Sequence, residues 1–118
     1  MREILFRGKD IKEHWHIGLL AHIGNAWYIS NSAGIPTACE VIPSTIGEYT
    51  GLKDKNDKMI FEGDIVLLKN DEEPYQVEFN ECCFQVYSHS VCYVMDNFYD
   101  HDIEVIGNIH DNPELLKG

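Results

Sequence analysis

Six histidines, four cysteines and twenty carboxylates are the groups through which this 118-residue chain could do chemistry. His14 and His16 stand two residues apart, so on an extended strand both imidazoles face the same side. That is the start of a metal site. A metal needs further donors at about 2 Å, which His22, His89 or His101 could bring only through tertiary folding. The simpler expectation is two half-exposed histidines flanking a buried Trp15. In "NFYDHDIE", Asp100, His101, Asp102 and Glu104 gather an imidazole among carboxylates. Such a histidine could act as an acid, a base or a pH switch. The competing expectation is a solvated acidic loop. A thiol nucleophile would pair Cys82, Cys83 or Cys92 with a base such as His89. Their acidic surroundings raise a thiol's pKa and weaken the thiolate, so packed cysteines are expected. No GxSxG signature is present.

The stretch "GEYTGLKDKNDKMIFEGDIVLL", residues 47 to 68, holds three glycines, five acids and three lysines. Set in a calcium-loop register, Asp54 and Asn56 fit the first and third places. Lys58, Met59 and Ile65 then fall where a carboxylate, a glycine and a glutamate are required. An ammonium there repels Ca²⁺. Gly47, Gly51 and Gly63 match no phosphate-loop spacing. Turn chemistry remains. Asp54 to Asp57 is a polar turn, Met59-Ile60-Phe61 returns as a strand, and Glu62-Gly63-Asp64 makes a tight corner at a glycine able to adopt positive φ. The apolar run Ile65 to Leu68 lacks alternation, so it is buried on both faces or has one face against another subunit. The stretch is expected to be architectural.

No CxxC pair exists among Cys39, Cys82, Cys83 and Cys92, which argues against a zinc knuckle and for free thiols in a reducing compartment. No apolar stretch is long enough to span a bilayer. The charged start "MREILFRGKD" lacks the apolar run of a signal peptide, so a soluble, cytoplasmic protein is expected. The net charge of -11 is unevenly placed: residues 1 to 59 hold seven Lys/Arg and seven Asp/Glu, residues 60 to 118 two and thirteen. Such a second half disfavours direct nucleic-acid binding and allows a basic partner.

The elements that would position these groups are mostly short, β-branched and aromatic. "EILFRG" and "HWHIGLLA" read as strands. Gly24-Asn25 between two apolar runs marks a hairpin into "WYIS". "NSAG" is a turn before "TACEVI". In "YQVEFN", Tyr75, Val77 and Phe79 alternate with polar residues. "FQVYS" and "VCYVM" follow, joined around Ser88 to Ser90. "PSTIGEY" has weak helical character, with Ser44 or Thr45 as a cap. "DNPELL" is the best helix, capped by Asn112 with Pro113 in first position. The pattern predicts one domain over residues 1–118, mainly β with minor α, as a small β-barrel or two packed sheets.

Three ordered blocks, "REILFRGKD", "PSTIGEYTGLKDKNDKMIFEGDIV" and "EVIGNIHDNPELL", resemble the YopX family of bacteriophage and prophage proteins. The resemblance implies a small, cytoplasmic, mostly β protein encoded by phages of Gram-positive hosts. It brings no established activity and therefore no catalytic, cofactor-binding or metal-binding residues. The chain departs from the family where Asn56-Asp57 replaces an Asn-Gly turn, and in the His14-Trp15-His16 strand.

The expectation is a non-enzymatic phage accessory protein, without cofactor, that works by protein contact. Its partner would be a host or phage protein on the acidic second half, or its own oligomer. One alternative is a DNA mimic, whose acids would line one continuous face at phosphate-like spacing. Another is a small enzyme using His101 and neighbouring carboxylates, which would need His101 in a deep pocket.

Overall fold

A computed structural model describes residues 4–30, 38–80, 83–88, 91–95 and 102–116. The chain is mainly β and shows, among the described residues, eleven strands and only single turns of 3-10 helix. Contacts gather it into two compact units, Met1–Tyr49 and Thr50–Gly118.

In the first unit, β1 (Phe6–Lys9), β2 (Trp15–Ile23), β3 (Ala26–Ser30) and β4 (Ala38–Val41) form an antiparallel meander. The first residues of β5 (Gly47–Lys53) pair with the other edge of β1. Gly24 has φ +62 and Ile23 pairs with Ala26, so Gly24-Asn25 is the two-residue hairpin that the sequence predicts. Gly8 is required by close packing, since a Cβ there would lie 2.9 Å from the Cβ of Val41. The weak helix of "PSTIGEY" is one 3-10 turn, Pro43–Thr45, with no side-chain cap. Thr45 instead ties the turn to its surroundings. Its hydroxyl donates to the Ile42 carbonyl at 2.6 Å and accepts the Lys9 N–H at 2.9 Å. The predicted "NSAG" turn lies outside the described residues.

In the second unit, the rest of β5 neighbours β6 (Met59–Phe61). The strands β7 (Asp64–Leu68), β8 (Pro74–Asn80), β9 (Cys83–Ser88), β10 (Val91–Val94) and β11 (Ile103–Asn108) form an antiparallel sheet in the order β10-β9-β8-β7-β11. Ile60, Val66, Val77, Val86, Met95 and Ile103 are almost wholly buried in one core. Burying such side chains stabilises by about 1.5–3 kcal/mol each. Ile65, Val66 and Leu68 are buried and Leu67 is half-buried in the single chain, so the alternative that the run faces another subunit is not needed. Tyr75 and Val77 point inward as the alternation predicts. Phe79 ends 46% exposed, its ring 4.9 Å from that of Phe84.

Both strand orders, β4-β3-β2-β1-β5-β6 and β10-β9-β8-β7-β11, are open, so two sheets rather than a closed barrel is the arrangement found. Two strands escape the sequence pattern, β5 and β11. The C-terminal helix is a single 3-10 turn, Pro113–Leu116. Asn112 Oδ1 accepts the Asn108 N–H at 3.3 Å, so its side chain ties the turn back to the end of β11.

Candidate functional site

His14 and His16 do come together, around Asp10. The carboxylate accepts the backbone N–H groups of Lys12 and His14 through Oδ1, at 2.8 and 3.0 Å, which shapes the turn between β1 and β2. Its Oδ2 lies 2.8 Å from His16 Nε2 and 3.8 Å from His14 Nδ1. Because a carboxylate only accepts, His16 Nε2 carries the proton in that bond. The His16 bond, then the two backbone donors, hold the Asp10 carboxyl down at about 2. No group of three His, Cys, Asp or Glu side chains is arranged to hold a metal among the described residues. Trp15 is half-buried: the Arg7 guanidinium lies 4.8 Å and the Lys9 ammonium 5.6 Å from its ring centre. Two cations against one indole make this end of the hairpin a packed cation–π cluster.

The segment of residues 47–68 is a frame. Asp54 is 2% exposed, and its Oδ1 accepts the N–H groups of Asn56 and Lys58, each at 2.9 Å. Its Oδ2 takes the Val105 N–H at 2.9 Å. Burial alone would raise its pKa, but the donors from Val105, Lys58 and Asn56 outweigh burial and leave it lowered. Asp57 takes φ 66, the left-handed conformation that the turn demands, and Gly63 takes φ 93 at the second corner. Asp64, 1% exposed, accepts the Phe61 N–H through Oδ2 at 2.8 Å. These carboxylates are occupied with backbone.

Of the acidic cluster, Asp100 and His101 lie outside the described residues. Asp102 and Glu104 border a cleft of about 280 Å³ with Lys55, Lys69 and Asp71. Lys55 Nζ pairs with Glu104 at 3.3 Å. Asp71 accepts the Glu73 N–H and the Tyr75 hydroxyl, which together lower its pKa. The same bond pushes the Tyr75 phenol up to about 12. Asp71, so engaged, favours the ionised form and is a poor proton donor near neutral pH.

Cys82 and His89 lie outside the described residues. Cys39 and Cys92 are exposed and Cys83 is half-exposed, all as free thiols. The Cys92 thiol donates to Gln85 Oε1 at 2.7 Å, and Gln85 Nε2 donates to Cys83 Sγ at 3.5 Å. This polar clamp joins β9 to β10.

The sequence pattern missed one surface. On β2, Ile17, Leu19, Ala21 and Ile23 are all exposed. The signal was present in "HWHIGLLA", which is apolar at successive positions as strands covered on both faces are.

A family model described as YopX protein matches residues 6–117, across both units. A crystal structure of protein EF1440 from Enterococcus faecalis is similar to the chain at TM-score 0.64 and 25% identity, over 98% of this chain and 99% of that one. No curated protein matches in sequence.

Proposed function

We propose, from the premise that this chain belongs to the YopX family, that it is a non-enzymatic bacteriophage accessory protein of the host cytoplasm that acts through protein contacts. The observation that carries this reading is how the polar groups are used. Asp10, Asp54, Asp64 and Asp71 are each bonded to backbone N–H groups, so they shape loops rather than converge on a substrate. The charge left outside is strongly partitioned. Residues 1–49 hold four Lys/Arg and five Asp/Glu; residues 50–118 hold five and fifteen. Exposed carboxylates such as Glu72, Asp111 and Glu114 offer a basic partner a docking field.

The DNA-mimic alternative is weaker on this footing, because Asp54 and Asp64 are turned inward and add nothing to an outer phosphate-like row. Co-purification from host lysate tests the contact reading. The wild-type chain should retain a discrete partner at low salt and release it at high salt. A variant carrying Glu72→Gln, Asp111→Asn and Glu114→Gln should retain less. A chain that retains nothing at low salt and stays monomeric would overturn the reading.

A further inference from the structure

We infer that residues 110–116 form a strap that opens and closes independently of the second sheet, latched over Gly107 by Asn112 and Leu115. Val66, Val77 and Val86 look into the core, so alternation turns Ile65, Gln76 and Tyr87 to the opposite face. Pairing sets Gly107 beside Ile65, Ile65 beside Gln76 and Gln76 beside Tyr87, a single row across four strands. The C-terminal turn lies over this row. A Cβ on Gly107 would stand 2.6 Å from Asn112 Oδ1 and 3.0 Å from Leu115 Cδ1. Leu116 borders Gln76, Tyr87 and Ser88 around a space of about 150 Å³. Ile65, between Gly107 and Gln76, is 0% exposed.

The segment is fixed at its start and lightly held beyond it. The Ile109 N–H donates to the Gly63 carbonyl at 2.9 Å, which anchors the hinge. Asn108 Oδ1 then accepts the N–H groups of His110 and Asp111, each at 2.9 Å. The Asn112 N–H donates to the Asn108 carbonyl at 2.8 Å, and the Leu115 N–H to that of Asn112 at 3.1 Å. These four bonds close within residues 108–115, so none of them ties the strap to β7 or β8. The latch is side-chain packing. Leu115 and Leu116 are only half-buried, and no residue of Pro113–Leu116 is fully buried. Leu116 borders the small space beneath it instead of filling it as a close-packed interior would. Segments with so few buried apolar contacts open at a fraction of the global unfolding free energy. A turn this short does not persist without packing, so its amides exchange when it lifts. Exposed Asp111 and Glu114 ride on the strap. Its position therefore decides where two of the docking carboxylates stand, and its opening bares the row around Ile65.

Native-state hydrogen exchange of the full chain tests this. The Asn112 and Leu115 amides should exchange together, about a hundredfold faster than that of Val66, and with little dependence on added urea. The Ile109 amide should stay in the slow set. Gly107→Ala is the sharper probe, because the added Cβ strikes the latch and not the core. It should speed exchange at Asn112 and Leu115 about tenfold or more and leave Val66 unchanged. Leu115→Ala should do the same by removing half-buried apolar surface, and it reads the latch even where Gly107→Ala fails to fold. Exchange at Asn112 and Leu115 in step with Val66, or variants that leave their rates unchanged, would join the segment to the core's cooperative unit and overturn the inference. Exchange there at the rate of an unfolded peptide in wild type would mean that no closed state exists, and overturns it equally. Each of these failures leaves the contact reading standing, because co-purification decides that separately.

Discussion

The Asp54 carboxylate accepts the backbone N–H of Val105 at 2.9 Å, joining residues 51 positions apart. The other oxygen of the same carboxylate organises the turn from Asp54 to Lys58, with N–H bonds from Asn56 and Lys58. A loop that reads locally as a simple polar turn is thereby fastened to β11, which pairs with the core strand β7. Asp54→Ala leaves three donors without this acceptor, two of them in the turn. The expected loss is about 3 kcal/mol, measured as a lower urea midpoint at unchanged slope. Its lowered pKa sets the sign with pH: the stabilisation is present above the ordinary carboxylate range and fades as pH falls through the folded-state value.

Asp10 gives a sharper acid window. Its carboxyl drops from an ordinary 3.8 to about 2 in the folded chain. A depressed folded-state pKa means its contribution is complete above pH 4 and lost as pH falls toward 2. Melting temperatures recorded from pH 5 to pH 2 should fall less steeply in Asp10→Asn than in wild type. Parallel curves would show that Asp10 does not order the hairpin.

Tyr75 acts in the opposite direction. Its hydroxyl donates to Asp71 Oδ2 at 2.8 Å, and its pKa rises from 10.0 to about 12. A raised folded-state pKa means the contribution is complete below pH 10 and disappears as pH climbs toward 12. Tyr87 is also raised, by burial and the Glu78 carboxylate, so phenolate absorbance during alkaline titration should show a late component that Tyr75→Phe reduces by one tyrosine. A late component unchanged in the variant would assign it to other tyrosines.

Gly8 tests packing in the first unit. A Cβ there would stand 2.9, 3.0 and 3.1 Å from Val41 Cβ, Cγ2 and Cγ1. Val41 is 3% exposed and branched at Cβ, so it has little room to move. Gly8→Ala should cost about 2 kcal/mol by overpacking. Combining it with Val41→Ala should cost less than the sum of the two single changes. Strict additivity in denaturant melts would contradict the clash.

Local signals in the sequence reach only part of this. The Gly24-Asn25 hairpin, the inward pair Tyr75 and Val77, the buried run Ile65 to Leu68 and the corner at Gly63 each depend on a few neighbouring residues, and all are legible. β11 is not, because its register shifts between Val105 and Gly107, which breaks the alternation of "IEVIGN". β5 is hidden by Gly47 and Gly51, both poor strand formers. The short helix expected for "DNPELL" is present as one 3-10 turn rather than an α-helix, because four residues cannot sustain α-helical bonding. Among candidate sites, the pairing of His16 with Asp10 depends on a turn that brings position 10 back beside position 16, and pattern alone does not show that. Nor does it show the bare row on β2, since composition cannot tell which face of a doubly apolar strand finds a cover.

Residues 47–68 must be a fixed frame if contacts are to be left to the outer surface. Native-state hydrogen exchange at the amides of Asn56, Lys58 and Val105, the three donors to Asp54, tests this most directly. All three should exchange only when the second unit unfolds globally, and together. Fast exchange at Asn56 and Lys58, with core amides such as that of Val66 still protected, would mean the turn opens on its own like a lid, and would contradict the fixed frame.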